Sequence, residues 1–326
     1  MGVRAELINV SGKIEEEKVP GKFIYLFPGQ GVQKVGMGKT LYDSSEIARR
    51  IFDQLKSKLL DIMLDGSFKD EPVNVFDDTA IAQPAIVAVS LATYFEFLKT
   101  NPSFRRRPIA FLGHSTGQMS ALAAAGVVDR ETALHMAAER GRLMKEIGER
   151  RENKGGMLVL FGATLEKAKL LCAKTSEAFG EEGIWVANDN TLDQIVLSGR
   201  ESHIVYVQDQ AKKAGIKKAV RLRVSIAAHC PLMKEAQDIF AQYLDPIKFE
   251  RPTSPIILNT RAKTTSDPDE IRADLVNGLT HGVRFREALQ EAQRIGVTSF
   301  VEIGKGPLSS FAQRVIPDSK QFQIAA

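Results

Sequence analysis

Ile109-Ala110-Phe111-Leu112-Gly113-His114-Ser115-Thr116-Gly117-Gln118 is the stretch on which the fold turns. A short apolar run stops at Gly113, and a run of small residues that suits a helix, Met119 to Ala125, follows at once. Gly-x-Ser-x-Gly between a strand and a helix predicts a nucleophile elbow, with Ser115 at the joint. Glycines flank the serine because the turn is sharp and the neighbouring backbone leaves little room for side chains. The hydroxyl is thereby pushed clear of the sheet, and the helix N-terminus favours negative charge developing beside it.

Upstream of the elbow, Phe23-Ile24-Tyr25-Leu26-Phe27 reads as a buried strand. It runs into Pro28-Gly29-Gln30-Gly31, a loop that can bring backbone N–H groups close to a ligand. Residues 1–22, polar up to Pro20-Gly21, read as an N-terminal extension. Helical patterns cover Ser45 to Leu64. A longer helix is expected over Ala85 to Leu98, with Pro84 near its first turn. Downstream, Asp129-Arg130-Glu131 starts a helix that runs through Met144, and Gly155-Gly156 reads as a boundary. Beyond it come a strand (157–161), a helix (165–178), two strands (184–187 and 194–198) joined by a polar turn Asn188-Asp189-Asn190, a helix (201–214) and a strand (219–224). The order β-α-β-β-α-β predicts a ferredoxin-like insert over 156–224. Helices over 232–244, 271–279 and 285–295, strands over 256–258 and 299–302, and a last helix after Gly304-Lys305-Gly306-Pro307 complete a mainly α/β chain.

The chain has 326 residues, 44% hydrophobic and 26% charged, as in an ordinary globular protein with ample core. A net charge of +4 is mild, and no Lys/Arg run interleaved with aromatics suggests nucleic acid. The two cysteines, Cys172 and Cys230, are far apart and form no metal-type spacing, which suits a reducing, cytoplasmic setting. Residues 1–21 lack the apolar core of a signal peptide, and apolar windows such as Ala85 to Ala92 are too short to cross a bilayer. Neither a membrane nor a bound metal or redox cofactor is therefore expected, and nothing demands more than a monomer.

A serine hydroxyl needs a base within hydrogen-bond reach. Of the five histidines, His114 adjoins the serine and should point away at a sharp elbow. His135 lies on a predicted helix, and His203 and His281 sit in polar, surface-like settings. His229 lies in Ser225-Ile226-Ala227-Ala228-His229-Cys230-Pro231-Leu232-Met233, where small residues and a following helix start could expose an imidazole. Pattern alone leaves the choice open.

Six stretches together resemble the malonyl-CoA:acyl-carrier-protein transacylase family, the acyltransferases of fatty-acid and polyketide synthesis. They are Phe27-Pro28-Gly29-Gln30-Gly31 with Val35-Gly36-Met37-Gly38; Gln83-Pro84-Ala85; Gly113 to Gly117; Arg140-Gly141 with Met144; Val224-Ser225 through His229 to Met233; and Glu302-Ile303-Gly304-Lys305-Gly306. They occur in family order over nearly the whole chain. The resemblance implies an α/β-hydrolase-like core (23–155 and 225–326) carrying the ferredoxin-like insert. It implies Ser115 as the nucleophile that carries the acyl group, His229 as its general base, and the backbone N–H groups of Gln30 and Thr116 as the oxyanion hole. Arg140 would hold the free carboxylate of malonate, and a backbone carbonyl, Gly278 or Asn277 if the alignment slips by one, would hold the other histidine nitrogen. Acyl-CoA would be the donor, and the phosphopantetheine thiol of an acyl carrier protein the acceptor. Gly278 and Gln118 depart from the amide-bearing residue and the glutamate that relatives commonly carry. Thr116 and Ala227-Ala228 leave the acyl choice, malonyl or substituted malonyl, open. Lys212, Lys213, Lys217, Lys218, Arg221 and Arg223 form a basic cluster suited to an acidic carrier. Rival readings are a carrier-protein acyl hydrolase, a transferase of unusual acyl units between carriers, and a catalytically silent docking module.

Overall fold

The computed structural model describes residues 5–15, 18–19, 21–64, 75–224 and 226–325. Pro20 and Ser225 lie outside the described residues. Two sheets organise the chain. The larger has seven strands, β1 (Glu6–Asn9), β2 (Phe23–Phe27), β3 (Ala110–Gly113), β8 (Ile256–Ile257), β9 (Thr264–Thr265), β10 (Ser299–Ile303) and β11 (Lys320–Ala325), in the order β1-β11-β10-β2-β3-β8-β9. All neighbours are parallel except β8 and β9. The smaller sheet is antiparallel, in the order β5-β6-β4-β7, built from β4 (Gly155–Phe161), β5 (Ile184–Thr191), β6 (Gln194–Arg200) and β7 (Lys218–Arg221). That is the ferredoxin-like order expected from the element sequence.

Strand β2 is buried throughout because both sheet faces carry helices. Its side chains alternate: Phe23, Tyr25 and Phe27 enter the apolar layer that holds α4 (Thr79–Thr100), whereas Ile24 and Leu26 enter the opposite layer with Phe285, Leu289 and Phe311. The latter come from α11 (Phe285–Arg294) and α12 (Leu308–Val315). Glu302, one residue before the end of β10, is buried with its carboxylate accepting from the backbone N–H groups of Leu308 and Ser309, capping α12.

Four expectations need correction. Helix α4 begins at Thr79, capped by Asp78, so Pro84 lies inside it rather than in the first turn. The same helix, at 22 residues, is long and apolar enough to cross a membrane by length and composition, and 83% of its most apolar window is buried in the protein core. The short-window argument thus fails, because the helix continues on both sides of Ala85 to Ala92. Gly155-Gly156, read as a boundary, opens β4, and its glycines are required there by close packing: a side chain at Gly155 would meet the Gly199 carbonyl at 2.1 Å. Asn188-Asp189-Asn190 is not a turn but the buried end of β5, which pairs with the region of Val283 through Asp189 N to Val283 O and Val283 N to Ala187 O. Arg286 of α11 closes on Asp189 with two nitrogens, so the smaller sheet is tied by main-chain bonds and an ion pair to the segment that leads into α11. His203 is buried rather than at the surface, stacked 4.1 Å from the Phe179 ring.

Candidate active site

The elbow forms where β3 meets α5 (Gly117–Ala124). A Cβ at Gly113 would lie 2.2 Å from Gly117 backbone, and one at Gly117 would lie 2.1 Å from the Phe27 carbonyl. Both glycines are therefore demanded by close approach. Ser115 takes a left-handed backbone, φ +50°, which is costly for a non-glycine residue. Asn259, just after β8, holds it there. Its side chain accepts from Ser115 N at 2.8 Å and donates to the Gly113 carbonyl at 2.7 Å.

His229 also has a left-handed backbone, φ +61°, and is buried. Its Nε2 lies 2.8 Å from Ser115 Oγ, and its Nδ1 lies 2.6 Å from the Gly278 carbonyl. A carbonyl only accepts, so Nδ1 carries the proton and Nε2 is free to accept from the serine. Gly278, not Asn277, supplies that carbonyl. It caps α10 (Pro268–Asn277). Burial, and then the charge of Arg140, push the His229 imidazole down to about 3. The ring is neutral at physiological pH, the form a base requires. Because the folded value lies below the unfolded one near 6.5, the unfolded chain takes up this proton first as pH falls. The contribution is to destabilise the fold progressively from about pH 6.5 down to about 3.

Arg140 comes from α6 (Arg130–Gly148). It is 2% exposed and not on the solvent face. Close helix packing brings it in: a Cβ at the adjacent Gly141 would meet the Thr79 carbonyl of α4 at 2.6 Å. Nη1 donates to Gln83 Oε1 at 2.8 Å, and Nη2 lies 3.4 Å from Ser115 Oγ. Burial pulls the guanidinium down to about 10, so it is still a cation at neutral pH. No carboxylate among the described residues pairs with it. Arg142, by contrast, is exposed and pairs with Glu139 and Glu146.

Gln83 continues as a relay: its Nε2 donates to Thr79 Oγ1 at 2.9 Å, and Thr79 Oγ1 donates to Gln30 Oε1 at 2.9 Å. Gln30 lines a cavity of about 290 Å³ with Ser115, His229, Met144, Met157, Asn188, Leu222, Arg223 and Ala228. The backbone N–H groups of Gln30 and Thr116 donate to no protein acceptor among the described residues. His114 points away from the serine, with Nε2 2.9 Å from Asn190 Oδ1, and burial lowers its pKa. His135 and His281 are exposed. Sequence reasoning gave no role to Asn259, to Asp274 or to Asn190. The first two act through contacts 144 and 156 residues away in the chain, which no local pattern reports.

Among the described residues, no group of three or more His, Cys, Asp and Glu could hold a metal ion. The acyl transferase domain family matches residues 24–318. The chain is 34% identical over 295 residues to the malonyl CoA-acyl carrier protein transacylase of Bacillus subtilis (strain 168), covering 89% of this chain and 88% of that one. It is similar to the crystal structure of acyl-carrier-protein S-malonyltransferase from Bartonella henselae, with TM-score 0.84 and 32% identity over 94% of this chain and 95% of that one. A further likeness is to a malonyl-transacylase in complex with its holo type II PKS acyl-carrier protein, with TM-score 0.83, 30% identity and coverages of 94% and 96%.

Proposed function

This chain belongs to the acyl transferase domain family, and from that premise we propose that it moves a malonyl group from CoA to the phosphopantetheine thiol of an acyl carrier protein. The observation that carries the reading is Arg140: a buried cation beside the nucleophile, with only neutral partners among the described residues. Such a group is costly to bury unless an anion arrives to pair with it. The malonyl carboxylate suits a planar guanidinium, which can donate to both oxygens.

In the forward half-reaction, Ser115 Oγ attacks the thioester carbonyl carbon while His229 Nε2 takes the hydroxyl proton. The N–H groups of Gln30 and Thr116 receive the oxyanion. The tetrahedral adduct collapses by breaking the C–S bond, the departing CoA sulfur takes the proton from His229, and a malonyl-serine ester remains. In the second half, the carrier thiol gives its proton to His229 and attacks the ester. Ser115 leaves with that proton. The Gly278 carbonyl holds Nδ1–H throughout, in the place that a carboxylate takes in a three-residue triad. Lys212, Lys213, Lys217, Lys218 and Arg223 are exposed around the smaller sheet, and Arg223 also lines the cavity, so an acidic carrier would meet positive charge near the mouth. Arg221 is already paired with Glu201.

Two measurements test this reading. Brief treatment with malonyl-CoA followed by peptide mass spectrometry is expected to place one malonyl mass on the Ser115 peptide. The same mass on another residue, or none, overturns the assignment. Second, the Arg140 charge depresses His229, so a bound carboxylate that neutralises it should raise the imidazole pKa. Nitrogen-15 NMR titration is expected to show His229 neutral down through about pH 5 in the free protein, and its midpoint moving upward with saturating malonate. A midpoint that ignores malonate would mean that Arg140 does not receive the carboxylate.

A further inference from the structure

The dyad hangs on a carboxylate that takes no part in proton transfer. Asp274 sits in the last turn of α10 and is 2% exposed. Its Oδ2 accepts from Gln118 Nε2 at 2.7 Å and from Asn259 N at 2.8 Å. Its Oδ1 accepts from Thr260 N at 2.8 Å and from the Thr260 hydroxyl. No Lys, Arg or His among the described residues forms an ion pair with it. Four donors from two other segments therefore converge on one buried negative charge, the condition under which such a charge is tolerable.

Each of those segments carries one part of the machinery. Asn259 pins the left-handed backbone of Ser115 through its two amide atoms. Gln118 lies in the first turn of α5, and its backbone N–H donates to the Ser115 carbonyl at 2.9 Å. On its own helix, the Asp274 carbonyl receives Gly278 N at 2.8 Å, and Gly278 O holds His229 Nδ1. The nucleophile side and the base side are thus referenced to the same residue, although Ser115 and His229 stand 114 positions apart.

We propose that Asp274 is a positioning residue for malonyl transfer: its carboxylate sets the Ser115–His229 separation by tying Asn259, Thr260 and Gln118 to the turn that presents the Gly278 carbonyl. The proposal rests on the transferase reading above. It distinguishes a residue that acts on geometry from one that binds substrate, since Asp274 does not line the cavity. Asparagine at 274 keeps the shape but turns one acceptor into a donor that faces Gln118 Nε2, Asn259 N or Thr260 N. Glutamate at 118 restores one complementary pair, because its carboxylate can accept from the new amide. In a chain that retains Asp274, the same glutamate sets two carboxylates against each other.

The test is kinetic, with wild-type acylation by malonyl-CoA as the control. Asp274→Asn is expected to lower kcat about 30-fold with KM for malonyl-CoA within about twofold, since a small misplacement of reacting groups costs rate rather than affinity. Gln118→Glu should also lower kcat. The double variant Gln118→Glu/Asp274→Asn should be faster than either single one by at least about threefold, a coupling that independent sites do not show. Wild-type kcat in Asp274→Asn overturns the proposal, and so does a double variant no faster than Asp274→Asn. Thr260→Val, which deletes only the hydroxyl donor to Oδ1, is the milder variant should Asp274→Asn not fold. It is expected to lose about threefold in kcat at constant KM, and unchanged kcat there overturns the proposal in turn. If the wild-type protein forms no malonyl-serine, the transferase reading itself is what fails.

Discussion

Exchange of Ser115 for alanine is expected to lower kcat for malonyl transfer by about 10⁴- to 10⁶-fold, and exchange of His229 for alanine to do nearly the same. The reason is the 2.8 Å contact between Oγ and Nε2, with the Gly278 carbonyl 2.6 Å behind the ring. Without the base, the hydroxyl holds its proton and attacks too slowly. Without the hydroxyl, the base has nothing to activate. Groups that act as one unit are not additive, so the double variant should fall no further than the slower single one. Single-turnover transfer from radiolabelled malonyl-CoA measures all three. A double variant that drops by the product of the two single losses would show that the residues act separately. The Ser115→Ala protein should still bind malonyl-CoA, because Arg140 remains in place.

Replacing Arg140 by leucine is expected to cut kcat/KM for malonyl-CoA by about 10²- to 10³-fold while leaving acetyl-CoA within a few-fold. The guanidinium is the buried positive charge next to the serine, and its Nη2 is 3.4 Å from Oγ. A carboxylate left without it would be buried beside neutral groups, whereas an acetyl group loses nothing. The variant should melt no lower than wild type, because removing a buried cation whose partners among the described residues are the Gln83 amide and hydroxyl groups, with no acid, relieves as much as it breaks. Free malonate should raise the melting temperature of the wild type and not of the variant, since only a ligand that binds the folded state shifts it. An equal loss for malonyl and acetyl donors would make Arg140 a structural residue. It would also return weight to a hydrolase that clears plain acyl chains.

Much of the architecture is readable from local pattern. The strands at 23–27 and 299–303 and the helices around 165–179 and 285–294 follow from apolar periodicity, and Ser115 from its flanking glycines. Polar segments inside the protein are harder. Asn188-Asp189-Asn190 has turn chemistry in sequence, but Asp189 is satisfied by Arg286 and Asn190 lies against His114, so the strand continues through them. Gly155-Gly156 reads as a boundary, but nothing local shows that the opposing Gly199 strand leaves no room for side chains there. His203 reads as a surface residue because nothing in its own helix reveals the Phe179 ring that covers it. Arg140 shows the same limit from the other side, since its burial depends on the absence of a side chain at Gly141 and on a partner helix 57 residues earlier. Gly278 contributes an oxygen that every residue possesses, and no side chain marks it. Only the resemblance pointed there, to within one position.

The seam between the two sheets bears on how traffic passes through the enzyme. Ala187, Asp189 and Val283 share main-chain bonds, and Arg286 grips Asp189 from helix α11, which packs on the larger sheet. Walls sewn together in this way do not clap shut on a guest. Both thiols must also reach the one hydroxyl beside the one imidazole, so the outgoing visitor has to leave before its successor arrives, and their strict alternation is a matter of plumbing rather than of control.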